Sequence, residues 1–402
     1  MGEWNSHKLG EFVKIKHGWA FKSKHTIEDM TDDPILVNIG NFKYNGGFRF
    51  ESTKIKRYVD EYPKEYKLVP NDMLLIMTCQ TEGGEILGIP GIIPHDDNTY
   101  LHNQRLGKVE ILNDLSVDKK YLYWFFLTQD FNQALFNSSS GTKILHTAPS
   151  RIESVDINLP PLKEQRAIAE VLSSLDDKID LLHRQNRTLE EMAQTLFRQW
   201  FIEEAKDEWK EKSLSDFGDV ICGKTPSKKK PEYHDGEIPF IKIPDMHGNT
   251  FIFNTTDTLT EEGSNSQKNK LLPPKSICVS CIATVGLVSM NIIESQTNQQ
   301  INSIVPKEEY YRYFLYLFMK SSYDLLHAMA SGGTATLNLN TGNFQKMEVL
   351  RPNDTTLNDF HILVEPQFNK IFANQKQIKT LENTRDTLLP KLMSGEVRIK
   401  DE

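Results

Sequence analysis

Hydrophobic and polar positions follow two patterns along this chain, and both patterns occur twice. Short apolar runs, such as ILVNI at 35–39, MLLIMT at 73–78, PFIKI at 239–243 and SICVS at 276–280, are bounded by Gly, Pro, Asn and Asp. Runs of that length with those boundaries predict strands. The aromatic segments YLYWFFL at 121–127 and YRYFLYLF at 311–318 precede polar, helix-compatible stretches. They are predicted helices whose rings pack as core.

A longer period follows each set of strands. Ile168, Leu172, Leu175, Ile179, Leu182, Asn186, Leu189, Ala193 and Leu196 alternate spacings of four and three, a heptad seam. Leu-Pro-Pro at 159–161 opens it, where proline is tolerated. About 40 residues at about 1.5 Å each make a rod of roughly 60 Å. Phe368, Ile371, Gln375, Ile378, Leu381 or Glu382, Arg385 and Leu388 repeat the seam less purely. Ile179 and Ile371, Leu189 and Leu381, and Leu196 and Leu388 are all 192 apart. Pro366 is expected to break the second rod into a short piece and a longer one. A compact domain of about 150 residues has no face long enough to cover such a stripe. The two rods are therefore expected to pack on each other, antiparallel, with the domains related by a pseudo-twofold axis.

The domains themselves are duplicated. Trp4, Leu9, Phe12 and Gly18 recur as Trp209, Leu214, Phe217 and Gly223, each 205 later. ILVNIGN at 35–41 aligns with PFIKIPD at 239–245, LVPNDMLLI at 68–76 with LLPPKSICV at 271–279, and NQRLGKV at 103–109 with NQQINSI at 298–304. Small-residue loops follow, SSSGTKIL at 138–145 and ASGGTATL at 330–337, and then VDINLP at 155–160 and MEVLRP at 347–352. A constant order with a slowly drifting offset marks homologous domains. The predicted architecture is α+β: mixed, mostly β domains at 1–158 and 206–352, and long helices at 159–205 and 353–402 forming an antiparallel coiled coil.

Composition narrows the class. A 402-residue chain with 38% hydrophobic and 25% charged residues supports two or three globular domains. It has no apolar run long enough to span a membrane and no apolar N-terminal segment, so a cytoplasmic location is expected. Four cysteines do not make a disulfide framework. Cys278 and Cys281 form C-x-x-C, but a second pair is missing and a strand would turn them to opposite faces. No metal and no cofactor are expected. The formal charge of −8 argues mildly against nucleic acid, yet KSK at 22–24, KIKR at 54–57 and KKK at 228–230 are locally basic.

One stretch, GDVICGKT at 218–225, fits the phosphate-loop pattern G-x-x-x-x-G-K-[ST]. Such a loop needs a helix after it, and PSKKKPEYHDGEIP offers none. Its interior is apolar, and Lys224 stands where the other copy has Trp19, so nucleotide hydrolysis is set aside. Both domains instead present a glycine turn followed by lysines, which suits phosphate contact. Asn158-Leu-Pro-Pro lacks the order and the aromatic of an amino-methyltransferase motif. Asp60, Glu65 and Lys67 are too close together, and absent from the second copy, to serve as a nuclease centre. Neither H-E-x-x-H nor G-x-S-x-G occurs.

The block LPPLKEQRAIAEVLSSLDDKIDLLHRQNRTLEEMAQTLFRQWF at 159–201 and the run RDTLLPKLMSGEVRI at 385–399 resemble the specificity subunits of type I restriction–modification systems. The likeness covers essentially the whole chain. It departs where Pro161, Glu164 and Gln165 have no counterpart, since the second helix opens with PNDTTLNDFHILVEPQF. The resemblance implies a non-catalytic subunit. Each domain would be a target-recognition domain reading one half of a bipartite double-stranded DNA sequence, and the helices would set the gap. The helices would also dock two methyltransferase subunits, with motor–nuclease subunits adding to that core.

On that reading Lys22, Lys24, Lys224, Lys228, Lys229 and Lys230 are candidate phosphate contacts. Candidate base readers are Asn41, Lys43, Tyr44, Gln80, Thr142, Lys143 and His146 in the first domain. In the second they are Asp245, His247, Asn249, Thr284, Thr334, Thr336 and Asn338. The seam candidates are Ile168, Leu172, Leu175, Ile179, Leu182, Leu189, Leu196, Ile371, Ile378, Leu381 and Leu388. Rival readings are an autonomous nuclease or nucleotide hydrolase, and a repurposed or decoy scaffold that binds protein.

Overall fold

The computed structural model describes residues 4–28, 31–50, 55–81, 83–141, 143–331 and 336–399. The chain divides into two compact units, one over Met1–Asp177 with Leu381–Glu402, the other over Lys178–Thr380. The segments expected at 1–158, 159–205, 206–352 and 353–402 follow chain order. The compact units cut across that order, each taking part of both long helices.

In the first unit an antiparallel sheet runs in the order Val13–His17, Leu106–Ile111, Met73–Ile76, Pro90–Ile92. A second sheet runs Thr26–Ile27, Arg57–Tyr58, Ile35–Val37, Tyr100–His102, Lys67–Leu68, with Ile35–Val37 and Tyr100–His102 parallel. Asn5–Lys8 pairs antiparallel with Asp156–Leu159. Met73 and Leu75 enter one apolar cluster while Leu74 and Ile76 enter another. Alternate side chains thus leave opposite faces, and both faces are covered, which is why this strand reads as an unbroken apolar run.

The second unit repeats the scheme. Its sheet runs Gly218–Cys222, Ile301–Pro306, Ile277–Ser280, Val288–Asn291, with Phe251–Ile252 added parallel at the edge. Asp257–Leu259, His234–Ile241 and Gln296–Thr297 form the companion sheet, again with one parallel pair. Lys210–Ser213 pairs with Glu348–Arg351. Cys278 and Cys281 fall in separate apolar clusters, on opposite faces. Burial pushes their thiols up, to about 12 and about 11. The aromatic segments form the helices Lys119–Phe126, capped by the Asp118 carboxylate, and Arg312–Ser321.

The shared glycine has a steric cause. A Cβ on Gly18 would lie 2.1 Å from the Asn103 carbonyl oxygen, and one on Gly223 would lie 2.1 Å from that of Asn298. Gly18 N–H donates to Leu106 O, and Gly223 N–H to Ile301 O. Two motifs far apart in sequence therefore meet in each unit, and only glycine allows the approach.

The long helices span Leu162–Arg198 and Asp354–Ser394, with Gln199–Glu203 continuing the first as a π turn. Gln165, fully buried, accepts from Asp118 N–H at 2.8 Å and donates to Ser116 O and Pro160 O at 3.0 and 2.9 Å. Glu164 takes Arg398 in a two-pronged pair at 2.7 and 2.5 Å. The second helix opens differently: Asn353 Oδ1 accepts from Thr356 N–H at 2.8 Å, and Leu357 is buried where Gln165 stands in the first.

In both units the two helices lie antiparallel. Ile168 and Leu172 share the first unit's core with Leu392 and Met393, and Leu388 packs against it. Ala193 and Phe197 share the second unit's core with Leu357, Phe360, Val364, Phe368 and Ile371, and Leu189 and Leu196 pack against it. Ile179, Leu182 and Ile378 are buried, and Leu175 and Leu381 are half-buried. Polar pairs punctuate the stripe. Arg385 Nη1 donates to Asp176 Oδ1 at 2.6 Å, and Asn374 Nδ2 to Asn186 Oδ1 at 2.9 Å.

Two sequence expectations are corrected here. Pro366 does not break the second helix, which runs continuously from Asp354 to Ser394. Pro366 is solvent-exposed, while Val364, Phe368 and Ile371 around it are locked in the core. Packing there outweighs one missing hydrogen bond. Asn374, not Gln375, takes the buried seam position, and Gln375 Oε1 instead accepts from Phe251 N–H at 3.0 Å.

Gly18→Ala and Gly223→Ala are each expected to destabilise the protein by about 1–3 kcal/mol or more, by overpacking against a fixed carbonyl. Denaturant unfolding with intrinsic fluorescence checks this; an unchanged midpoint would mean the turn yields freely.

Candidate nucleic-acid interface

The loops that carry the candidate residues are built the same way in both units. After the strand Ile35–Val37 the chain makes one tight helical turn, Ile39–Asn41, and its counterpart is Ile243–Met246. Asn38 and Lys242 precede these turns with the same backbone angles, φ −123° and ψ 166°. Asn41 Oδ1 accepts from Asn38 N–H at 2.8 Å, and Asp245 Oδ2 from Lys242 N–H at 2.8 Å. Asp245 Oδ1 also accepts from Thr256 N–H and Oγ1. Both side chains are buried. This corrects the assignment of Asn41 and Asp245 as base readers: they close their own turns, a use to which Asn and Asp are equally suited.

Beyond each turn the chain loops outward. Lys43 and Tyr44 sit at an exposed tip closed by Lys43 N–H to Gly47 O at 3.0 Å, and Tyr44 is 70% exposed. Gly46 there has φ +92°, the left-handed region that favours glycine. His247 and Asn249 occupy the corresponding place and are exposed, although Asn249 Nδ2 donates to the Asp245 carbonyl at 3.0 Å.

A second group gathers around the small-residue loops. Leu145–His146 pairs with Thr78–Cys79, which brings Gln80, Lys143 and His146 together, all exposed. His146 Nδ1 lies 3.1 Å from Thr78 Oγ1. In the second unit Asn338 bridges Ile282, and Ala283 N–H donates to Leu337 O at 3.0 Å. That brings Thr284, Thr336 and Asn338 together, again exposed. Thr142 and Thr334 lie outside the described residues.

The lysines form a third group at the shared glycine. Lys22 and Lys24 are exposed on either side of Ser23, beside the strand that ends at His17. In the other copy the strand Gly218–Cys222 ends in an extended turn, and only the short 3-10 turn Pro231–Tyr233 follows. Lys224, Lys228, Lys229 and Lys230 are exposed along that turn. Lys230 folds over Tyr233, its Nζ 4.6 Å from the ring centroid and 2.8 Å from the hydroxyl.

Sequence reasoning missed the polar turn that packs against each shared glycine. A polar cleft of about 270 Å³ in the first unit is lined by Ser23, Asn38, Lys56, Asn103, Gln104 and Arg105 among others. Asn103 Nδ2 donates to Asn38 Oδ1 at 2.9 Å and ties two loops together. In the second unit Thr225 Oγ1 donates to Gln299 Oε1 at 2.7 Å. The signal lies in NQR and NQQ, which align between the halves, but the alignment alone marks only the repeat.

Next to Asn103, His102 is buried and donates from Nε2 to Leu106 O at 2.9 Å. Burial pushes its pKa down to about 4. Among the described residues no group of three or more His, Cys, Asp or Glu is placed to hold a metal ion. No described helix is long and apolar enough to cross a membrane.

Two loop-bearing domains of one topology, each completed by two long helices, make a tandem recognition scaffold. The chain matches the family described as type I restriction modification DNA specificity domain, over residues 1–191 and again over 206–383, and it belongs to that family. It is 32% identical to the type I restriction enzyme HindI specificity subunit of Haemophilus influenzae, over 99% of this chain and 100% of that one. It is 30% identical to the MjaIX specificity subunit of Methanocaldococcus jannaschii, over 71% and 70% of the two chains. The crystal structure of a type I restriction–modification S subunit from M. genitalium shares the fold, with a TM-score of 0.60 at 16% identity over 97% of this chain and 96% of that one.

The buried imidazole gives a pH dependence. His102 is held neutral in the fold and takes up a proton near pH 6.5 when unfolded. Its contribution is therefore complete above about pH 6.5 and is lost as pH falls toward about 4, on the order of 3 kcal/mol in all. Urea unfolding at pH 7, 6 and 5 should show that loss in the wild type and a shallower one in His102→Gln.

Proposed function

We propose that this chain is the DNA-recognition subunit of a type I restriction–modification complex and performs no chemistry itself. Each domain reads one half of a bipartite duplex sequence, and the paired helices set the gap between the halves. One observation carries the reading. The same topology places a glycine-anchored, lysine-bearing turn beside a polar turn in both units, in a chain of the specificity-domain family. Phosphate contacts position such domains and polar loop side chains select the bases.

The helices dock two copies of an adenine-methylating subunit, and motor–nuclease subunits add to that core. Val171 and Leu363, 192 residues apart on the two helices, are both exposed apolar residues. Like residues at equivalent positions suit two copies of one partner. The formal charge of −8 is compatible with this division: lysines face DNA on the loops, and the acidic balance lies elsewhere. The reading places the chain in the cytoplasm with its DNA target.

Co-expression with the methylating subunit, followed by sequencing of methylated adenines, tests this directly. A bipartite motif with a fixed gap is expected; a contiguous motif, or turnover of DNA or ATP by the chain alone, would sink the reading. Inserting seven residues into each helix, beside Asn186 and Asn374, lengthens the pair by about 10 Å and the gap by about three base pairs. Both half-sites should keep their sequence.

The lysine turn makes a separate prediction. Lys228→Ala with Lys229→Ala should weaken binding to all DNA sequences alike. It should also lower the slope of log affinity against log salt by about two. Fluorescence anisotropy at several salt concentrations measures both.

A further inference from the structure

We propose that the paired Asn-Gln turns are the base-reading elements of the two domains, with Arg105 selecting a guanine in one half-target and Gln299 an adenine in the other. The inference rests on the function proposed above and assigns its specificity to particular side chains.

The two turns share a rigid backbone. Asn103 Oδ1 accepts from Arg105 N–H at 3.2 Å and Asn298 Oδ1 from Gln300 N–H at 3.0 Å. The Asn103 carbonyl accepts from Leu106 N–H at 3.0 Å, and that of Asn298 from Ile301 N–H at 3.2 Å. Each turn is pressed from behind by the glycine that tolerates no side chain. A reader held this firmly loses little freedom on binding.

The tips face outward. Gln104, Arg105 and Gln299 are exposed, whereas His102 and Leu106, and Thr297 and Ile301, are buried on either side. Both tips adjoin the segments that carry the candidate phosphate contacts. Gln104 N–H donates to Trp19 O at 2.9 Å, and Lys224 N–H donates to Thr297 O at 2.9 Å. A base-edge contact one step from a phosphate contact is the geometry a groove requires.

Chemistry separates the two copies. Arg105 brings a planar fork of donors that matches O6 and N7 of guanine. Among the described residues no carboxylate lies in ion-pair range of it. Gln300, its counterpart, is turned back: its Oε1 accepts from Asn298 Nδ2 at 3.0 Å. The neighbouring Gln299 is steadied by the Thr225 hydroxyl and keeps a carboxamide for N6 and N7 of adenine.

The full chain with its methylating subunit, applied to a randomised duplex library and read by methylated adenines, tests the assignment. Arg105→Ala should lose roughly 10- to 100-fold of the preference for one guanine in one half-site and leave the other half-site unchanged. Gln299→Ala should do the same for one adenine in the opposite half-site. Arg105→Lys should keep partial guanine preference, because one donor remains where two were. Thermal midpoints should match wild type, since both side chains are exposed. An unaltered motif in either variant, or a uniform loss across all sequences, would overturn the inference for that residue. A wild-type protein with no bipartite motif would instead reject the underlying function.

Discussion

An apolar stripe about 60 Å long cannot be covered by the domain it follows, and this constraint organises the chain. Each helix is partly buried in one unit and partly in the other, beside its antiparallel mate. The first domain is consequently completed by the last residues of the chain, where Leu392 and Met393 join Leu9 and Val13 in one core. Glu164 and Arg398 latch the same end, with the Arg398 guanidinium over the Trp4 ring. The polar pairs Asp176–Arg385 and Asn186–Asn374 lie within the stripe. A buried polar group that finds its partner in one register is left unpaired in any other, so these pairs favour this alignment over sliding.

With the helices fixed, each domain needs little else to present its loops. The central strands are covered on both faces, which makes them stiff and leaves variation to their connections. Gly18 and Gly223 hold the lysine-bearing turn against the Asn-Gln turn, and Asn41 and Asp245 close the neighbouring turn with the same hydrogen bond. Residues that are alike between the copies thus build the platform. Among those that differ, Arg105, Tyr44 and His247 stand exposed, while Gln300, opposite Arg105, is turned back onto Asn298. One scaffold read twice with different tips is what a two-part DNA target asks of a single chain.

Much of the architecture is legible in the sequence. The duplication, the strands at MLLI and SICV, the aromatic helices and the seam all come from local periodicity, which the backbone obeys within a few residues. The failures were contextual. Pro366 reads as a helix breaker because proline lacks a donor, yet its side of the helix faces water while the opposite face is locked in a core. Asn41 and Asp245 read as base readers because short polar side chains on loops serve both for recognition and for capping. Only the partner atoms 2.8 Å away distinguish those uses.

The sequence alone therefore determined the repeat, the class of each element and the two rods that must find each other, because these follow from spacing along the chain. Tertiary structure decided which polar residues are spent on the fold and which remain for a ligand. Burial and hydrogen-bond partners depend on segments that meet only after folding, as Gly18 meets Asn103 and Thr225 meets Gln299.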